Sequence, residues 1–447
     1  MTLRLARLAA LTTTIFSMQM LQIAQSQNAM APDGQVNANQ RYTLKVLATC
    51  TAPACTPANV TVGTINASCE IAGSLDDKTH SVQLAFVWRP DFPPQQLAGG
   101  QKAGDASDHE AIGINDAHQV VGWGYGSGYQ TALLWTVTPQ SSSWVAAPLN
   151  GANVNDGKAL NSAGQVVGST SFHGREAMYW SGGTPLPLGD LPHTAMGKSS
   201  VAYGINDSGA IIGTGEADVG STTNVTRAFY IAPSSTMLVD LGALGGGAGV
   251  TRARAINASG TVVGESGGVG PNLHAVTWRV SASGSITITD LGAADAAGLS
   301  SSGADGINAS GSVVGYIASG MTTRHAAAWT PTSTSAFDLN DQSNASASGI
   351  TLTEAFGVNA DGVISAVGDQ GATKVVVALI PTNFPNAAAH ALCPAPITMQ
   401  APPPPPPPGS ERDRQPTHPV LPPPPPASPP PNPRDRHPTH PTLIPPH

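Results

Sequence analysis

"AINASGTVVG" occupies residues 255–264, "GINASGSVVG" residues 306–315 and "GINDSGAIIG" residues 204–213. A chain that writes the same ten residues repeatedly is building one supersecondary unit several times. The unit is an apolar residue, Asn, two small or polar residues, Gly, a variable residue, two β-branched residues and Gly. Its asparagines are Asn66, Asn115, Asn161, Asn206, Asn257, Asn308 and Asn359, at spacings of 49, 46, 45, 51, 51 and 51 residues. The end copies depart most: "TINASCEIAG" has Cys69 at the glycine position, and "GVNADGVISA" loses the final glycine. Atypical ends are usual in repeat arrays.

Two further signatures follow each copy. The first is "LAFVW" (84–88), "TALLW" (131–135), "EAMYW" (176–180), "RAFYI" (227–231), "HAVTW" (274–278), "HAAAW" (325–329) and "VVVAL" (375–379). The second is a short strand-like piece ending in Leu-Gly or Leu-Asn, as in "VDLGALGG" and "ITDLGAAD". Each copy therefore reads as four short strands: one running into Asn, one carrying Val-Val-Gly, one ending in Trp and one ending in Leu-Gly. Roughly 45 residues for four strands is the size of a propeller blade. The Asn-x-x-Gly turn suits a three-residue hairpin loop, with Asn bonding the backbone two residues on and Gly taking positive φ. In the first strand the positions two and four before Asn are small, which a crowded propeller axis needs.

The expected fold is all-β: a seven-bladed β-propeller of four-stranded blades, spanning 41–393. "RYTLKVLA" (41–48) is an orphan strand ahead of copy one, and copy seven lacks a fourth strand, so 41–48 is expected to complete that blade and close the ring.

These signatures together resemble the HAF-type extracellular repeat family, named for a His-Ala-Phe run written here as His274-Ala275-Val276 and Arg227-Ala228-Phe229. The resemblance covers about 66–380, by the span of the repeats. It implies export and a β-propeller, and no settled activity. Only His274 and His325 keep the family's His, so that position is not a shared catalytic site.

Outside the repeats, the opening 1–26 reads as a secretory signal peptide: Arg4 and Arg7 precede an apolar run, and Ala24-Gln25-Ser26 offers a cleavage site. Ala29-Met30-Ala31 is a second candidate, with Pro32 directly after it. The protein is thus expected to be secreted, extracellular or periplasmic, without a membrane span. From 394 to 447 the chain is a Pro-rich tail, read as disordered, extended polyproline acting as a spacer. With Arg4 and Arg7 in the expected signal peptide and four Arg against three acids in the tail, about −11 is left on the middle of a chain whose total charge is −8. That balance argues against a nucleic-acid footprint.

No nucleophile-elbow, zinc-protease, phosphate-loop or dinucleotide motif stands in a fitting context. No catalytic residue, metal site or cofactor is assigned. The Asn turns carry too few acids to bind calcium. The repeated Trp88, Trp135, Trp180, Trp278 and Trp329 read as packing between blades.

Two sets of candidate ligand residues remain. In the first strand of each copy, the positions three and five before Asn hold Glu110, Asp156, Lys158, Arg252, Arg254, Asp305 and Glu354. They would gather near one mouth of the channel, either as a polar site or as solvated ion pairs. The loops joining second to third strands vary between copies while the Asn turns do not. Their aromatic residues Trp123, Tyr125, Tyr129, Phe172, His173 and Tyr316 are the candidates on that face, although loops also vary where nothing constrains them. The function expected is a monomeric binding or surface scaffold whose unknown ligand is a glycan or cell-envelope component. The alternative is a propeller hydrolase or lyase acting on a polysaccharide, which needs two or three acids or His converging at the channel mouth and would be favoured by Glu110, Asp305 and Glu354 within reach of one sugar.

Four cysteines in an exported chain suggest two disulfides. If 41–48 is the closing strand, Cys50 and Cys55 share one loop, while Cys69 and Cys393 lie on the opposite face. The expected pairs are Cys50–Cys55 and Cys69–Cys393.

Overall fold

The computed structural model describes residues 41–382, apart from the segments 53–54, 57–58, 78–81, 98–107, 127–128, 138–143, 150–154, 171–173, 183, 193–197, 221, 269, 293–299 and 320–322. The expected signal peptide, the Pro-rich tail, Phe172, His173 and Cys393 lie outside the described residues.

Copy one forms β2 (Thr61–Ile65), β3 (Ile71–Asp77), β4 (Val82–Trp88) and β5 (Gln95–Gln96), hydrogen-bonded in that order as one antiparallel sheet. Copy two repeats the pattern with β6 (His109–Ile114), β7 (Gln119–Gly126), β8 (Tyr129–Val137) and β9 (Trp144–Pro148). Copy five does so with β18 (Thr251–Ile256), β19 (Thr261–Gly268), β20 (Gly270–Val280) and β21 (Ile286–Asp290), and copy six with β22 (Ser301–Ile307), β23 (Val313–Ser319), β24 (Thr323–Trp329) and β25 (Phe337–Asp338). In copy seven β26 (Thr351–Val358), β27 (Ile364–Gln370) and β28 (Thr373–Pro381) are joined by β1 (Tyr42–Thr51), in the order β1-β28-β27-β26. The orphan N-terminal strand pairs with β28 from Tyr42↔Pro381 to Thr51↔Thr373.

Copies three and four differ from the expectation of separate four-stranded sheets. Their strands are β10 (Asn155–Leu160), β11 (Val166–Thr170), β12 (Gly174–Ser181) and β13 (Thr184–Gly189), then β14 (Lys198–Ile205), β15 (Ile211–Val219), β16 (Thr222–Ile231) and β17 (Val239–Asp240). They make one eight-stranded sheet, so five sheets are four-stranded and one has eight strands. The link is a parallel pair between β12 and β14, Gly174↔Lys198 and Arg175↔Ser199. Neither β10–β13 nor β14–β17 loses its own antiparallel ladder through it.

The sheets form a propeller. The first strands β2, β6, β10, β14, β18, β22 and β26 neighbour one another in that order, and β26 returns to β2. A closed cycle of first strands puts them at the axis and the other strands further out. Crowding there explains the small residues: a Cβ on Gly63 would lie 1.8 Å from the Ile112 carbonyl oxygen of the next inner strand.

The core is divided among the interfaces between sheets. One cluster joins Ala72, Ala85 and Val87 of copy one to Ala111, Val120 and Trp135 of copy two. Another joins Val263 and Ala275 of copy five to Ala304, Ile317 and Trp329 of copy six. The five repeated tryptophans are among the most deeply buried side chains, as are Ile231 and, at the same place in copy seven, Leu379.

The turn asparagines do more than the sequence suggests. In copy five, Asn257 Oδ1 accepts from the Thr261 N–H, four residues on rather than two, at 2.9 Å. Its Nδ2 donates to the backbone oxygen of Asn308 at 3.1 Å. The same bond runs Asn66→Asn115, Asn115→Asn161, Asn161→Asn206, Asn206→Asn257, Asn308→Asn359 and Asn359→Asn66, at 2.9–3.2 Å, so the seven amides close a ring. Only a carboxamide offers an acceptor and a donor at this reach, whereas Asp lacks the donor and Ser the length. Glycine in the turn takes positive φ, as at Gly260 (78°). Copies one and two manage this with Cys69 (58°) and His118 (55°); the latter was not singled out in the motif.

Candidate functional site

Each inner strand carries a β-bulge at the same place. Register breaks at the third residue before Asn: Ile112, Lys158, Tyr203, Arg254, Asp305 and Phe356, with Gly63 in the break of copy one. Bulges redirect a side chain out of the ladder and recur beside functional sites. Neighbouring positions are small in most copies, while the bulged residue differs in every one. The repeats thus hold the axis constant and vary what stands on it.

The bulges of copies five and six start a network of charges. Arg252 sits opposite Glu265 in the ladder and donates to its Oε1 at 2.9 Å. Arg254 approaches the same oxygen at 3.5 Å and Asp305 Oδ1 at 3.9 Å, and its guanidinium lies 5.8 Å from the ring centre of Tyr203. Tyr316 donates its hydroxyl to Glu265 Oε2 at 2.9 Å. Arg324 stacks on the Tyr316 ring at 3.5 Å and bonds Glu354. Copies four to seven, far apart in the chain, are joined here through side chains.

The electrostatics are unusual at Asp305. Its Oδ2 is buried without a hydrogen-bond partner. Desolvation, reinforced by the neighbouring Glu354 carboxylate, pushes the Asp305 carboxyl up to about 8, against the pull of Arg254 and Arg324. Glu354 is also raised, again chiefly by burial. Two adjacent carboxyls of this kind share a proton at neutral pH. Burial, and then the charge of Glu265, raise the Tyr316 phenol, which stays protonated and donating.

Not all of the expected first-strand set joins this network. Glu110 is held elsewhere, accepting from Trp123 Nε1 at 2.6 Å across its own ladder pair. Asp156 accepts from Ser169 N and Oγ and pairs with Lys158 at 2.9 Å and Arg175 at 3.3 Å. Glu110, Asp305 and Glu354 are therefore not drawn into one contact network, because the first belongs to copy two and the others to copies six and seven.

The aromatic candidates differ in placement from the expected loops. Trp123 and Tyr125 lie in β7 and pair edge-on, 5.8 Å apart; Tyr129 begins β8 and Tyr316 lies in β23. The reason is visible in "GWGYG" (122–126), whose strict alternation is itself a strand pattern. Tyr125 is exposed, whereas Tyr316 is engaged with Glu265 and Arg324.

A link the sequence reading missed explains the His of the third-strand signature. His274 Nδ1 meets Asp290, His325 Nδ1 meets Asp338 and Arg227 Nε meets Asp240, each pairing third strand to fourth. The signal was present: copies with His or Arg there also carry Asp before Leu-Gly or Leu-Asn.

Cys50 and Cys55 form a disulfide, with Cα atoms 5.2 Å apart. Cys69 is likewise disulfide-bonded. Among the described residues no group of three His, Cys, Asp or Glu is placed to hold a metal ion, and no helix is long and apolar enough to cross a membrane.

No family model matches the chain, and no curated protein matches it. Among solved structures it is similar to the β-propeller domain of the Trilobed protease from Pyrococcus furiosus, described as having an open velcro topology. The TM-score is 0.42 at 12% identity, covering 62% of this chain and 81% of that one. It is also similar to a puromycin-hydrolyzing peptidase of Mycobacterium tuberculosis, with a TM-score of 0.33 at 10% identity, covering 67% of this chain and 56% of the peptidase. At such identity the likeness is one of fold, and neither peptidase's activity carries over.

Proposed function

We propose that the protein is an exported β-propeller binding protein of the HAF-repeat type, with seven blades, and that its Pro-rich tail is a spacer. The seven-membered asparagine ring and the seven inner strands support counting the eight-stranded sheet as two blades touching through one short parallel pair. The two disulfide-bonded regions suit an oxidising compartment. Cys69–Cys393 is the pairing that leaves no cysteine over, and non-reducing peptide mapping checks it: a free thiol at Cys393 would refute the pair.

The observation that carries the binding reading is the filling of the inner face by Arg–acid pairs. Glu265 is spoken for by Arg252 and Arg254, Glu354 by Arg324, and Glu110 by Trp123. One feature favours the hydrolase or lyase reading: a general acid must hold its proton at neutral pH, and Asp305 does. A screen of the full chain against glycans and cell-envelope polymers, run with a product assay on every polymer bound, separates the two. Binding without turnover supports the binding protein. Turnover abolished by D305N and E354Q supports the enzyme.

A further inference from the structure

The inner-face ion pairs of copies five to seven share one polarity. In copies five to seven the guanidiniums are the accessible partners, and the acids lie beneath them. Arg252 and Arg254 keep 37% of their side-chain surface and Arg324 keeps 43%, against 6% for Glu265, 15% for Asp305 and 22% for Glu354. The pairs Arg227–Asp240 and Lys374–Asp369 are inverted, with the acid more exposed than the base. Long side chains reaching outward do not account for the difference, since Arg227 is buried. An approaching ligand therefore meets three guanidiniums on a chain whose net charge is −8.

The three are held in place. Arg324 is clamped between the Tyr316 ring and Glu354, and Arg252 is fixed by its ladder partner. Arg254 stands on a bulge, at 3.5 and 3.9 Å from its acids, with donors to spare. Guanidinium forks match the planar geometry of a carboxylate.

We propose that Arg252, Arg254 and Arg324 form a binding site for a carboxylate, taken by their guanidiniums. Two sources share this chemistry, a free small organic acid and a uronate residue within an acidic polysaccharide. The assignment rests on the binding-protein reading above.

Titration calorimetry on the full chain, with galacturonate, trigalacturonate, the methyl ester of trigalacturonate and inorganic phosphate, tests it. The acids bind, and esterification weakens binding at least ten-fold. R254K, which keeps the charge but loses the fork, weakens it about ten-fold and R324Q at least as much. Comparable binding of galacturonate and trigalacturonate assigns the free acid; binding of trigalacturonate alone assigns the polymer. R254K and R324Q are checked for unchanged melting, and R252K stands in for either that fails to fold. Equal binding of acid and ester, phosphate binding as tightly as either acid, no binding of any acid at 10 mM (roughly the weak limit of specific recognition), or acid binding untouched by the variants overturns the proposal. A neutral glycan bound with affinity unchanged by R254K and R324Q leaves the binding-protein reading standing and this assignment refuted.

Discussion

A single side chain type sets the geometry of the axis. Each ring asparagine closes its own turn through Oδ1 and reaches the next copy through Nδ2. N257A leaves the Thr261 N–H and the Asn308 carbonyl without these partners in a buried setting, and is expected to cost about 2–4 kcal/mol in a denaturant melt. N257D keeps the turn acceptor and loses the donor, so a cost of about 1–3 kcal/mol measures the link between copies; equal stability of N257D and wild type would show the link to be idle. Asp305 adds a pH dependence whose sign follows from its raised carboxyl. Unfolded, an aspartate titrates near 4; folded, this one titrates at about 8. The native state binds the extra proton between those values, so this stability contribution is complete below about pH 4 and is lost as pH rises through about 8. D305N removes that slope. Its denaturation midpoint should fall less than that of wild type between pH 5 and pH 9.

The fourth strands are the weakest elements, two residues long at β17 and β25. They are fastened by charge as well as by ladder. Asp338 bonds His325 and also accepts from both the backbone and the side-chain nitrogen of Asn340. D338A is therefore expected to destabilise by about 1–3 kcal/mol and H325A by only about 0.5–1.5, with the double variant no worse than D338A alone. Additive losses in a double-mutant cycle would mean that the two side chains act separately. This also accounts for the variation at the signature's first position: His and Arg both serve, because the role is to meet an aspartate.

At the scale of the whole molecule, the ring is closed by strands from opposite ends of the described chain, β1 on β28, and by Asn359 on Asn66. Deleting 41–48 strips the outer ladder from β28 and bares its edge. The truncated protein is expected to aggregate and to melt at least 10 °C lower, and a parent-like melt would show that closure does not depend on β1.

The repeat, its turn and the size of the unit were readable because they are local: Asn-x-x-Gly punctuates two short strands, and small residues mark a crowded axis wherever they recur. The closing strand was readable by subtraction, since one copy lacked a strand and one strand lacked a copy. The buried Trp was readable from its fixed place in each copy. What only the tertiary structure decided lies between copies. That Arg254 meets Asp305, 51 residues on, depends on the bulge that turns both out of their ladders and on which inner strands are neighbours. That Glu110 is claimed by Trp123 depends on antiparallel register within one sheet. The second bond of each asparagine has its partner in the next copy, so no reading of a single turn contains it. Periodicity determines the unit; the contacts that give the inner face its charge arise from packing one unit against the next.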